Sequence, residues 1–144
     1  MQDYQQLNEW TIKNHYPLPL ISELIVQVQN AKIFTKVDIR WGYNNICIKE
    51  GDEYKAAFIM NQGLFKPTVM FFGLTNSPVT FQTMMNAIFA PEIAEGWLIV
   101  YMDDILIATR DDPKFHKECI HHVLEKLCLQ DLYLKPEKCA FEQR

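Results

Sequence analysis

A chain of 144 residues, 49% apolar and 22% charged, has the size and composition of one folded domain, which can bury roughly 68–70% of its unfolded surface. That balance excludes a disordered chain. No apolar run approaches the ~18 residues of a membrane helix, and the polar start from Met1 to Trp10 does not read as a secretory signal. The net charge of −4 counts against nucleic-acid binding, for which a basic footprint is the usual mark. Four cysteines, Cys47, Cys119, Cys128 and Cys139, include no Cys-x-x-Cys pair and read as reduced, small hydrophobes.

In chain order, residues 1–10 are polar with few anchors. Tyr16-Pro17-Leu18-Pro19 is extended, because proline biases its predecessor away from the α region. Leu20, Ile21, Leu24, Ile25 and Val28 recur at helical spacing and predict a helix closing near Asn30. Ile33–Ile39 is β-branched and alternating, a strand. Asn45–Lys49 reads as a second strand before a turn at 50–52. Residues 54–60 are either extended or a short helix, and Asn61-Gln62-Gly63 is a turn. Val69–Phe72 reads as a short strand. Ser77-Pro78 opens a helix with a capping hydroxyl and a first-turn proline, and Pro91 ends it just past Phe89. Leu98–Ala108 is two apolar arms around Met102-Asp103-Asp104, a buried hairpin. Asp112-Pro113 opens a last helix to about Leu129. Helices and strands without βαβ alternation predict an α+β fold.

The chemistry is carried by acidic residues in apolar surroundings. Two like charges ~4 Å apart repel by about 4 kcal/mol at an effective dielectric of 20, so Asp103 and Asp104 between buried strands call for a proton or a cation. In Thr35–Ile39, alternation puts Val37 and Ile39 on one face and Asp38 on the other. With Val37 and Ile39 in the core, Asp38 projects into a cleft over the sheet. It can there converge with the pair on two Mg²⁺ ions about 3.5–4 Å apart. His116, Cys119, His121 and His122 make a weaker case for a transition metal. Residues 116 and 119 are helical neighbours, but 121 and 122 point elsewhere. A solvated helix face with one core cysteine is the expectation there.

Tyr101-Met102-Asp103-Asp104 resembles the catalytic box of reverse transcriptases, and it stands in a family order of motifs. Asp3–Asn8 resembles the fingers motif and Tyr16–Pro19 the entry to the palm. Phe34–Tyr43 resembles the first catalytic strand and turn. Phe72–Pro78 with Phe81-Gln82 resembles the nucleotide-pocket loop and its helix, and Leu134–Cys139 the end of the palm. The wording Arg40–Asn45 is similar to gypsy-like LTR retrotransposons of fungi. Departures are Gln5, where the family carries Arg, Cys47 at an often basic position, and Phe71, where many relatives have Pro.

The resemblance implies a palm of antiparallel sheet backed by helices, about 14–45 and 77–144, with partial fingers, about 1–13 and 46–76. It implies RNA-directed DNA polymerisation with Asp38, Asp103 and Asp104 catalytic. The backbone carbonyl of Ile39 joins the three as ligands of two Mg²⁺, with Mn²⁺ a substitute. Tyr43 matches the steric gate against a ribose 2′-hydroxyl, with Gly42, Phe72, Gly73 and Met102 in the nucleotide pocket. Gln82 falls where the family touches template or primer. The implied partners are a template–primer of RNA or DNA, a deoxynucleoside triphosphate, and protease, RNase H and integrase modules of a polyprotein. The implied setting is intracellular, in cytoplasmic particles or the nucleus, with no membrane. A non-catalytic remnant that binds nucleic acid or protein is the rival expectation.

Overall fold

The computed structural model describes residues 3–144. A four-stranded antiparallel sheet has the order β4-β5-β1-β6, made of β1 (Ile33–Asp38), β4 (Leu98–Tyr101), β5 (Asp104–Thr109) and β6 (Ala140–Gln143). Alternation sorts its faces. Val37 pairs with Ile105, Ile105 with Val100, and Ile107 with Leu98. These side chains, all buried, point to one side. Against them pack α3 (Ser77–Ile88) through Phe81 and Met85, and α5 (Pro113–Leu129) through Cys119, Ile120, Val123 and Leu127. Each such large side chain contributes about 1.5–3 kcal/mol when taken fully from water. Lys36, Asp38, Ile99, Tyr101, Asp104 and Leu106 share the other face. The expected antiparallel sheet backed by helices is present.

α5 begins as its sequence predicts, with the Asp112 side chain accepting from the N–H groups of Lys114 and Phe115, both at 3.1 Å. α2 (Ile21–Val28) falls within the predicted helix but buries none of its residues fully. Beside the sheet's outer face it borders an apolar groove of about 260 Å³.

Several expectations need correction. Residues 5–10, read as polar with few anchors, form the helix α1 (Gln5–Trp10). Its Asn8 side chain donates to the Gly73 carbonyl at 2.8 Å and accepts from the Thr75 N–H at 2.9 Å. Residues 45–49 and 69–72 do not form strands. The chain turns left-handed at Trp41 (φ 52°), coils through a 3-10 turn at Gly42–Asn45, and keeps one bridge, Cys47 to Val69. Residues 53–60 hold both alternatives, a 3-10 turn at Glu53–Ala56 and then β2 (Phe58–Met60), which pairs with β3 (Gly63–Phe65).

Pro91 does not simply end a helix. The chain bends at Phe89 and Pro91 sits in the first turn of α4 (Ala90–Glu95), where its missing N–H costs nothing. The Ser77 hydroxyl donates to the Phe71 carbonyl at 3.0 Å and caps nothing. β6 has no counterpart in the sequence reading. His116 is not on a solvated face but fully buried.

Candidate active site

The three aspartates meet through sheet register. β4 and β5 form a hairpin whose loop is Met102-Asp103, since Tyr101 pairs with Asp104. Asp38, the last residue of β1, pairs directly with Asp104. The Ile39 N–H donates to the Asp103 carbonyl at 2.9 Å just beyond that pair. Asp38 and Asp104 are therefore a non-hydrogen-bonded pair, the kind whose side chains lie closer. Asp38 and the 103–104 turn are on one side of the sheet and in direct contact. The bridge between Ile39 and Leu134 runs through Arg40 N–H to the Tyr133 carbonyl and Lys135 N–H to the Asp38 carbonyl, so it does not consume the Ile39 carbonyl.

The hairpin loop is held from below. Met102 has φ 51°, an uncommon conformation for a side chain of its size. Its N–H donates to Gln82 Oε1 at 2.7 Å, while Gln82 Nε2 donates to the Val100 carbonyl at 3.0 Å and to Asn86 Oδ1 at 2.9 Å. Gln82 is fully buried. The expectation that it touches template or primer is thus corrected: its amide is spent on the loop that carries Asp103.

The charges do not balance within the carboxylates alone. Oδ1 of Asp38 and Oδ1 of Asp103 are both shielded from water and without a hydrogen-bond partner. Burial pushes the Asp103 carboxyl above its ordinary value; Asp38 and Asp104 add to that, and Lys135 and Lys138 oppose it. Lys135 Nζ stands 3.5 Å and Lys138 Nζ 3.8 Å from Asp38, and Lys36 Nζ 3.0 Å from Asp104. Asp103 Oδ1, shielded and unpaired beside two further carboxylates, is what a divalent cation would satisfy, whereas Asp38 Oδ1 already faces Lys135. The donor set therefore fits Mg²⁺. Among the described residues no three His, Cys, Asp or Glu side chains close into a ready cage. An ion here would also draw on water and substrate phosphate oxygens, as Mg²⁺ does.

The neighbouring residues crowd the same loop. A Cβ added at Gly42 would collide with Asp103 Oδ1 and stand 3.0 Å from Phe81 Cζ, so the glycine makes room for the carboxylate. Tyr43 lies edge-on to Phe81, with ring centroids 5.8 Å apart, and its hydroxyl reaches Met102 Sδ at 3.8 Å. Burial and then Asp103 raise the pKa of its phenol. Phe72 is 87% exposed, its ring 6.4 Å from that of Tyr43. Gly73 needs its missing side chain for φ 111°. Its carbonyl is tied to α1.

Sequence reasoning passed over Lys36, although it stands two residues before Asp38 on a strand and so must share its face. It also missed the exposed Trp41, over whose ring the Arg40 guanidinium lies at 4.4 Å.

Comparison with known proteins decides the family. Residues 1–144 match the family described as reverse transcriptase (RNA-dependent DNA polymerase). The chain belongs to the reverse transcriptase family. This reverse transcriptase segment is 39% identical over 141 residues to the Transposon Tf2-3 polyprotein of Schizosaccharomyces pombe, covering 98% of this chain and 10% of that one. The Transposon Tf2-7 polyprotein of the same organism is 38% identical over the same extent. The segment thus spans about a tenth of the length of these transposon relatives.

Its fold superposes on a foamy viral protease–reverse transcriptase solved with an RNA/DNA hybrid, at a TM-score of 0.86 and 20% identity. That match covers 96% of this chain and 18% of the viral one. The form solved with double-stranded DNA gives 0.88 at 19% identity, over 98% and 24%. The transposon relatives agree with the LTR-retrotransposon resemblance of the motifs, and the viral structures with the α+β palm.

Proposed function

We propose that this segment is the catalytic core of an RNA-directed DNA polymerase, extending a primer 3′-hydroxyl with deoxynucleoside triphosphates along a template. The single observation that carries the reading is the direct pairing of Asp38 with Asp104 beside the shielded, unpaired Oδ1 of Asp103. Asp38 and Asp103, with the Ile39 carbonyl, would hold two Mg²⁺ ions, and Asp104 completes the cluster beside Lys36. Bound there, the metal pair would lower the pKa of the primer hydroxyl and neutralise the triphosphate. The protein's own share is positioning and charge stabilisation. Tyr43 walls the sugar position, Phe72 offers an exposed ring opposite it, and Gly42 keeps the wall thin.

The net charge of −4 is compatible with this, because the basic residues gather where they are needed. Lys36, Lys135 and Lys138 stand at the carboxylates, and Arg40 is two residues from Asp38. Phosphates entering the cleft would meet the three lysines. The division into palm and partial fingers, the template–primer and the neighbouring polyprotein modules belong to the same reading, as does an intracellular setting. Among the described residues no helix is long and apolar enough to cross a membrane.

A specific observation favours the rival: the lysines already compensate Asp38 and Asp104, as a non-catalytic remnant would allow. Primer extension with Mg²⁺ or Mn²⁺, by the segment within its flanking polypeptide, separates the two. Polymerase function predicts incorporation that Asp103→Asn lowers by about 10²–10³-fold or more, the scale of one lost transition-state group. No incorporation by the unaltered protein, or full activity in the variant, contradicts it.

A further inference from the structure

Beneath the catalytic turn, hydrogen bonds run in series from Met102 to the surface at Tyr16, through two amides one turn apart on α3, Gln82 and Asn86. The backbone fixes the first amide. Gln82 Oε1 accepts from the Met102 N–H, which can only donate, and Nε2 donates to the Val100 carbonyl, which can only accept. The second hydrogen of Nε2 therefore meets Asn86 at its Oδ1, 2.9 Å away. Asn86 Nδ2 is left on the other side, where it donates to the Tyr16 hydroxyl at 3.0 Å. Each amide has one orientation that satisfies its neighbours.

Burial falls along the series: Gln82 is fully buried, Asn86 half-buried, and Tyr16 reaches solvent. Water can replace the outermost bond but not the inner ones. The inner end is a turn that needs holding. Met102 stands at φ 51°, where a residue other than glycine stays only when its surroundings over-determine it. Gln82 grips the main chain on both sides of Tyr101. The next residue of the turn, Asp103, has its carbonyl held by the Ile39 N–H at 2.9 Å and its carboxylate against Gly42. Held from both sides, the Asp103 carboxylate has one place to stand.

We propose that Asn86 is a positioning residue for Asp103. Turned by Tyr16, its amide orients that of Gln82 toward Met102 and Val100, and so keeps the left-handed turn in place beside Asp38. A side chain of the 16–19 segment thereby reaches the catalytic turn without touching it. The consequence for catalysis rests on the polymerase reading; the hold on the turn does not.

The test compares Asn86→Leu, which removes both amide contacts, with Thr83→Val on the same helix, which removes a hydroxyl bonded only within α3. Both are made in the segment within its flanking polypeptide. Hydrogen exchange of the Met102 amide, read by mass spectrometry on overlapping fragments, reports the turn with no metal or substrate present. Positioning predicts that exchange speeds up by about threefold or more in Asn86→Leu, the scale of one buried hydrogen bond, and less in Thr83→Val. Asn86→Asp keeps an acceptor for Gln82 and should restore protection, with the Tyr16 hydroxyl now donating. In primer extension, kcat should fall about threefold or more in Asn86→Leu while KM for the deoxynucleoside triphosphate is kept, as for a contact made only in the transition state. Equal exchange at Met102 in the leucine variant and wild type, or equal acceleration in both variants, overturns the proposal, as does faster exchange with kcat unchanged. If the unaltered polypeptide incorporates nothing, the polymerase reading fails, and the exchange measurement alone decides whether Asn86 holds the turn.

Discussion

Asp103 is the residue where the proposed function works against the fold. Its carboxyl is raised above the ordinary value by burial and by its acidic neighbours. The folded state then holds the proton more tightly than the unfolded one. Its ionisation therefore costs stability as pH rises through the raised value. Asp103→Asn removes that cost, so the variant should melt higher than wild type at pH 7 while losing polymerisation; a lower melting temperature would contradict the electrostatic account. Gly42 tests the same carboxylate sterically. Gly42→Ala places a methyl group against Asp103 Oδ1 and Phe81. Primer extension should fall by about 10²-fold, the scale of a 1 Å misplacement of a reacting group, and an unimpaired variant would show that the loop relaxes freely. The aspartates and Tyr43 were legible as a motif, but the role of Gly42 was not. A glycine's use here is a close contact between residues 61 positions apart, which no local pattern encodes.

At the scale of elements, strands and helices whose periodicity faces the core were readable. Val37 and Ile39 alternate with Asp38, the arms of 98–108 are continuously apolar around Asp103-Asp104, and Cys119, Val123 and Leu127 recur at helical spacing. Elements fixed by polar tertiary contacts were not. α1 is anchored by Asn8 on the 73–75 loop, and β6 docks on β1, where its Glu142 N–H donates to Thr35 Oγ1 at 3.0 Å. Gln82 and His116 are hidden for the same reason, being polar residues inside helices that clamp other elements.

Gln82→Leu strands the Met102 N–H and the Val100 carbonyl, and should cost about 1–3 kcal/mol of stability by denaturant unfolding; a neutral change would show that Gln82 does not hold the loop. His116 joins Thr35 at Nε2 and Thr109 at Nδ1, each at 2.8 Å. Thr109 donates its own proton to the Arg110 carbonyl, which assigns the Nδ1–H tautomer of a neutral ring. Burial depresses its pKa below 6.5. The stability held by the neutral ring is complete above pH 6.5 and is lost as pH falls through the depressed folded value. His116→Gln should flatten the melting-temperature profile in that acid window, and an unchanged profile would assign the loss to other groups.

Across the whole molecule, the sheet has two faces with different work. One buries Val37, Ile105 and Ile107 against α3 and α5; the other presents Asp38 and Asp104 with Lys36 beside them. The register that packs the core also sets the acids side by side, because a slip of one residue would turn both faces inside out. The concentration of lysines at that cluster was invisible to net charge, which sums over a surface that is acidic elsewhere.

Anomalous diffraction from crystals soaked with Mn²⁺ and a deoxynucleoside triphosphate tests the metal centre most directly. The account predicts manganese peaks within coordination distance of Asp38 and Asp103 carboxylate oxygens in the wild-type protein, and none in Asp103→Asn. A wild-type crystal with the triphosphate bound but no manganese at those oxygens would contradict it.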